Sequence, residues 1–176
     1  AWATGTKTYN GAIGVDLAQK PQENLLEKAK RAGLKTGKIT TSEVQDATPA
    51  VMGAHVTSRS HYAPSGNAKP AKGSDLRENG GMGSISEQLV DTRADVTMGG
   101  GAKYFDAEVQ VSGTWGETTR WTAGKSVLEN ARDNDFQIVT TAEQMAALTE
   151  ANQDKPVLGL FTPGNMPRMF NESVPT

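Results

Sequence analysis

Four short apolar or β-branched runs, Lys38 to Thr41, Ala94 to Met98, Phe136 to Val139 and Val157 to Phe161, alternate with segments of helical periodicity, and this alternation most limits what the chain can fold into. Apolar strands separated by amphipathic helices predict a largely parallel central sheet covered by helices on both faces, a three-layer α/β fold. A helical bundle or a β-sandwich does not produce that pattern.

The helices carry their own start and stop signals. Gln22 to Ala32 sets Leu25, Leu26, Ala29 and Ala32 on one face, with Gly33 placed to end the turn. Ser84 with Glu87, and Thr140 with Glu143, have capping-box spacing, and Ile85, Leu89 and Val90 give the first of these helices an apolar stripe. Ser126 to Arg132 reads as a further helix, and Phe105 to Trp121 as a small hairpin around Gly113 and Gly116. Residues 60–83 are rich in Pro, Gly, Ser, Asn and Lys and lack apolar periodicity, which predicts a long surface loop within one domain spanning 1–176.

The chemistry concentrates in Gln45 to Arg59. Proline suits the first helical position, where its missing N–H has no partner to lose, so Pro49 predicts a helix with Thr48 as N-cap. Asp46 and Thr48 stand two apart in the lead-in, at the end of a strand, where open α/β sheets gather ligands. One carboxylate and one hydroxyl form part of a shell for a hard cation such as magnesium. Arg59 follows the helix, and a guanidinium grips two phosphate oxygens with parallel charge-assisted hydrogen bonds. On spacing alone, a turn residue, a cap and a solvated surface charge account for the same three positions.

Composition excludes other classes. Eighteen basic against twenty acidic residues leave a net charge of -2, with no sign of a nucleic-acid or polyanion partner. No apolar run approaches the roughly eighteen residues of a spanning helix, and the N-terminus lacks the basic and apolar regions of a signal peptide. With no cysteine the chain has no disulfide. Gly99-Gly100-Gly101-Ala102-Lys103 follows a predicted strand but lacks P-loop spacing, and reads as a tight strand-end turn. The only histidines, His55 and His61, do not share a helical face as metal ligands would; His55 reads as a packing residue and His61 as the start of the loop.

Several blocks closely resemble bacterial alkaline phosphatases, in family order. They are Lys7-Thr8-Tyr9-Asn10-Gly11-Ala12, Gln45 to Ala50 with Ala54 to Arg59, Arg93 to Thr97 with Gly99 to Lys103, and Thr149 to Gln153 with Leu158 to Phe161. The resemblance implies an incomplete alkaline-phosphatase-like fold in a periplasmic or secreted homodimer. It also implies hydrolysis of small phosphate monoesters through a phosphoserine, with inorganic phosphate as product and two zinc ions and one magnesium ion as cofactors. Carried over by position, Asp46 and Thr48 match the magnesium site and Arg59 the phosphate-binding arginine. The Asp-Ser-Ala nucleophile motif and the Asp-x-x-x-His zinc pattern do not occur here. The chain alone is therefore expected to be inactive, and a non-catalytic phosphate- or metal-binding fragment of the same fold is the alternative. Arg168 to Thr176 looks closest to a later family segment, as though an intervening loop were shortened.

Overall fold

A computed structural model describes residues 1–167, so the segment from Arg168 onward lies outside the described residues. Its centre is a four-stranded sheet of β1 (Gly37–Glu43), β2 (Val96–Gly100), β5 (Gln137–Val139) and β6 (Val157–Leu160), in the order β1-β2-β6-β5 and parallel throughout. The remaining strands, β3 (Gly113–Trp115) and β4 (Thr119–Trp121), form the expected antiparallel hairpin. The α/β class with a parallel sheet is as the alternation predicts.

Register explains the two faces. Leu158 and Leu160 of β6 join Val44, Val56, Ile85, Leu89, Val90 and Phe105 in the main core, beneath helices α3 (Ile85–Thr92) and α4 (Val127–Asp133). Met98, Val139 and Val157 point to the opposite face and form a smaller cluster with Leu148 and Phe161. That second face is thinly covered: Ile39, the β1 neighbour of Met98, is 77% exposed.

Capping chemistry sets the helix starts, with corrections of detail. Helix α1 (Leu25–Arg31) begins at an Asn24 and Glu27 box and buries Leu26, whereas Leu25 and Ala32 face solvent, so its apolar face is narrower than expected. Ser84 and Glu87 cap α3 as predicted, and Ser126 with Glu129 caps α4. The box before α5 (Ala142–Ala146) is Thr141 with Gln144, one residue later than Thr140 with Glu143, because the Gln144 side chain reaches back to the amides of both Thr140 and Thr141. Helix α2 (Ala47–Ala50) starts at Asp46 rather than Thr48: the Asp46 carboxylate accepts the Ala47 N–H, and Pro49 falls in the first turn, where an N–H has no helical partner either.

Residues 60–83 contain neither strand nor α-helix, only 3-10 turns at Gly73–Asp75 and Arg77–Asn79. Their tip at 66–69 is exposed, while Tyr62, Ala63, Ala71, Asp75 and Arg77 are buried. The N-terminal segment packs against the stretch just before this loop through an antiparallel bridge of Ile13 with Val56.

Candidate phosphate-binding site

Strand β1 ends at Glu43, and the chain turns through Val44 and Gln45 into α2, which brings Asp46 to the carboxyl end of the parallel sheet. Gln45 anchors the turn: its buried Nε2 donates to the Ser86 hydroxyl at 3.0 Å and to the Gly101 carbonyl at 3.2 Å. Only glycine fits opposite it. Gly101 has φ +93°, and a Cβ there would stand 2.1 Å from the Gln45 side-chain oxygen.

Asp46 Oδ1 accepts three hydrogen bonds: from Arg59 Nη2 at 2.7 Å, the Ala47 N–H at 2.9 Å and the Tyr62 hydroxyl at 3.2 Å. Burial pushes this carboxyl up, but the Ala47, Arg59 and Tyr62 hydrogen bonds and the Arg59 charge outweigh it and hold Asp46 below its ordinary value. It is an ionised acceptor at neutral and alkaline pH. Burial and the neighbouring Asp46 carboxylate push the Tyr62 phenol upward, so Tyr62 remains a donor.

Arg59 is positioned from behind. Its N–H donates to the Gly11 carbonyl at 2.6 Å, and the Tyr9 hydroxyl reaches the Thr57 carbonyl at 2.8 Å. The Arg59 side chain is 54% exposed, and among the described residues only its Nη2 is hydrogen-bonded.

The structure thus brings Asp46 and Arg59 into direct contact, but gives Asp46 and Thr48 no common partner. Thr48 is exposed and lines a separate cavity of about 180 Å³ with Thr4, Thr6 and Thr8 of the N-terminal segment. Beside Asp46 stand residues that spacing did not single out. The Lys69 ammonium lies 3.7 Å from the centre of the Tyr62 ring, and Glu43 pairs with Lys103 at 3.2 Å and Lys69 at 3.7 Å. Lys103 belonged to the glycine-rich motif, which was a faint signal; Tyr62 and Lys69 carried none.

Both histidines are engaged. His55 Nδ1 meets the Gly14 carbonyl at 2.7 Å and Nε2 the Glu27 carboxylate at 2.8 Å, as befits a satisfied packing residue. His61 is buried against Asp75. Among the described residues no group of three or more His, Cys, Asp or Glu side chains is placed to hold a metal, and no helix is long and apolar enough to cross a membrane.

The alkaline phosphatase family model matches residues 1–174. The alkaline phosphatase of Escherichia coli strain K12 is 53% identical over 167 residues, which is 95% of this chain and 34% of that protein. Among solved structures, the cold-active alkaline phosphatase of a Shewanella species superposes with a TM-score of 0.69 at 27% identity, covering 97% of this chain and 32% of that one. A variant of the Antarctic bacterium TAB5 enzyme, with magnesium bound in its M3 site, gives a TM-score of 0.61 at 27% identity over 94% of this chain and 38% of that one. The chain spans about a third of the length of curated bacterial alkaline phosphatases that it matches. With the family model matched over nearly its whole length, this chain belongs to the alkaline phosphatase family.

Proposed function

We propose that the complete protein is a phosphomonoesterase, releasing inorganic phosphate from small phosphate esters, and that this chain supplies part of its phosphate and magnesium sites. The observation that carries the reading is the Asp46–Arg59 pair at the carboxyl end of a parallel sheet, where α/β folds bind ligands. Asp46 holds one nitrogen of the guanidinium, and the free N–H groups of Arg59 can make two parallel hydrogen bonds to non-reacting phosphate oxygens.

Asp46 and Thr48 offer hard oxygen donors, and no hydrogen bond engages Asp46 Oδ2 or the Thr48 hydroxyl among the described residues. That donor chemistry fits magnesium in part, and magnesium accompanies the TAB5 relative. The histidines do not fit zinc, since His55 has both ring nitrogens committed and His61 lies against Asp75. Zinc and the serine nucleophile expected from the family are therefore assigned to residues outside this chain. When bound, such metals lower the pKa of an oxygen nucleophile and stabilise the leaving oxygen. The periplasmic or secreted location and the homodimer remain part of the same proposal, supported by the family resemblance.

The test compares two polypeptides. The complete protein should hydrolyse p-nitrophenyl phosphate with an alkaline optimum and lose activity to a chelator, while residues 1–176 alone should not turn over. Chelator-insensitive turnover by the complete protein, or zinc-dependent turnover by the short chain, overturns the assignment.

A further inference from the structure

Arg59 owes its placement to its backbone, since its side chain meets only Asp46 among the described residues. That backbone is held by a second carboxylate, deeper in the protein. Asp75 is 6% exposed, and its Oδ2 accepts three hydrogen bonds: from the Thr57 N–H at 2.9 Å, the Thr57 hydroxyl at 2.9 Å and His61 Nδ1 at 2.5 Å. Thr57 and His61 stand two residues before and two residues after Arg59. A buried carboxylate is costly unless satisfied, so this segment cannot drift without orphaning the charge that holds it.

Asp75 is itself fixed. Its N–H donates to the Lys72 carbonyl at 3.3 Å, and its carbonyl accepts the Gly83 N–H at 2.7 Å. Gly81 packs so closely that a Cβ there would lie 2.2 Å from the Ser74 carbonyl oxygen and 2.5 Å from that of Asp75. Helix α3 closes the far side, where the Ile85 N–H donates to the His61 carbonyl at 2.9 Å. Thr57, Arg59 and His61 are thereby held between the N-terminal segment, the loop and α3.

We propose that Asp75 is a positioning residue for phosphate binding: by bridging Thr57 and His61 it fixes the segment that aims Arg59. This role rests on Arg59 being the phosphate ligand. Asp75 touches neither Arg59's guanidinium nor Asp46 and acts only through the main chain it pins.

The experiment uses the complete enzyme, with Asp75→Asn and the milder Thr57→Val, each alone and combined with Arg59→Ala. Folded variants are read by kcat/KM, by inhibition with inorganic phosphate, and by hydrogen exchange across residues 57–62. Asp75→Asn should lower kcat/KM and phosphate affinity roughly tenfold, and Thr57→Val about threefold, because small misplacements of a binding group are costly. Neither should cost more once Arg59 is alanine, and exchange across 57–62 should quicken. An equal loss with and without Arg59 overturns the proposal, since a general structural defect does not depend on that side chain. Unchanged exchange in Asp75→Asn also overturns it, while leaving Arg59's own role standing. If Arg59→Ala alone changes nothing, the phosphate assignment fails, and this role of Asp75 fails with it.

Discussion

Arg59 and Arg77 both pair with carboxylates, and they do so in opposite environments. Arg59 at the sheet end is half exposed and meets a single carboxylate oxygen, and its other side-chain donors have no partner among the described residues. The side chain of Arg77, at the base of the loop, is 2% exposed; it pairs with Asp91 at 2.5 Å and Glu87 at 3.3 Å, and lies 4.3 Å from the ring centres of both Trp115 and Trp121. Burial raises the Asp91 carboxyl to about 7, against the pull of Arg77 and of the Trp121 indole N–H. The same side chain thus serves two ends. Where it is buried and enclosed it fastens the loop to α3 and the hairpin; where its fork stays open it can still bind something else.

The largest expected effect breaks the buried member of the comparison. Arg77→Met in the complete protein leaves Glu87 and Asp91 in a dry site without their cation, and removing one partner of a buried pair costs about 3–5 kcal/mol. The lost stacking on two indole rings adds to that. Urea denaturation reads the change directly. A loss below about 1 kcal/mol would place Arg77 with ordinary surface charges and erase the contrast.

A third cation sharpens it, for the side-chain nitrogen of Lys38 on β1 is buried with no hydrogen-bond partner among the described residues. Burial lowers its pKa to about 7, although Glu27, itself paired with His55, pulls the other way. The folded value lies below the ordinary 10.5, so between those limits the unfolded chain holds the proton more readily. Stability should therefore rise as pH goes from about 7 to 10.5, and the penalty should be complete below about 7. Lys38→Met should stabilise the complete protein by roughly 3–5 kcal/mol at about pH 6, a gain that vanishes above about pH 10.5. A gain that is the same at both ends of the range would mean that the Lys38 amine titrates alike in the folded and unfolded chain.

How much of this the sequence disclosed depends on the range of each interaction. Strands β1, β2, β5 and β6 and the Ser84–Glu87 cap followed from neighbours a few residues apart, because side-chain alternation and capping are local. Local logic also misplaced details: Asp46 took the capping role given to Thr48, and Leu25 faced solvent. The Asp46–Arg59 contact was approached only through resemblance, since a separation of 13 residues fixes no distance. Asp75 and Arg77 sit in a segment without periodicity, and the side chains they pair with lie 10 to 18 residues away, so nothing in the local pattern distinguished them from loop polarity.

The smallest expected change in free energy falls on the open arginine, and it is the one that separates binding from folding. Arg59→Ala removes an exposed ion pair, so the stability of the complete protein should move by no more than about 0.5 kcal/mol. If the free fork holds phosphate, kcat/KM should nevertheless fall roughly ten- to a thousandfold, the loss of two charge-assisted hydrogen bonds in a partly dry site. Arg59→Lys should recover only part of that loss, because it keeps the charge but not the planar pair of donors. Inhibition by inorganic phosphate should weaken in the same order, alanine more than lysine. Arg77→Met should do the reverse, lowering stability while folded molecules keep their affinity for phosphate. An Arg59→Ala enzyme with wild-type kcat/KM and phosphate affinity would reduce Arg59 to a solvated surface charge, and would leave Asp46 as no more than the cap of a one-turn helix.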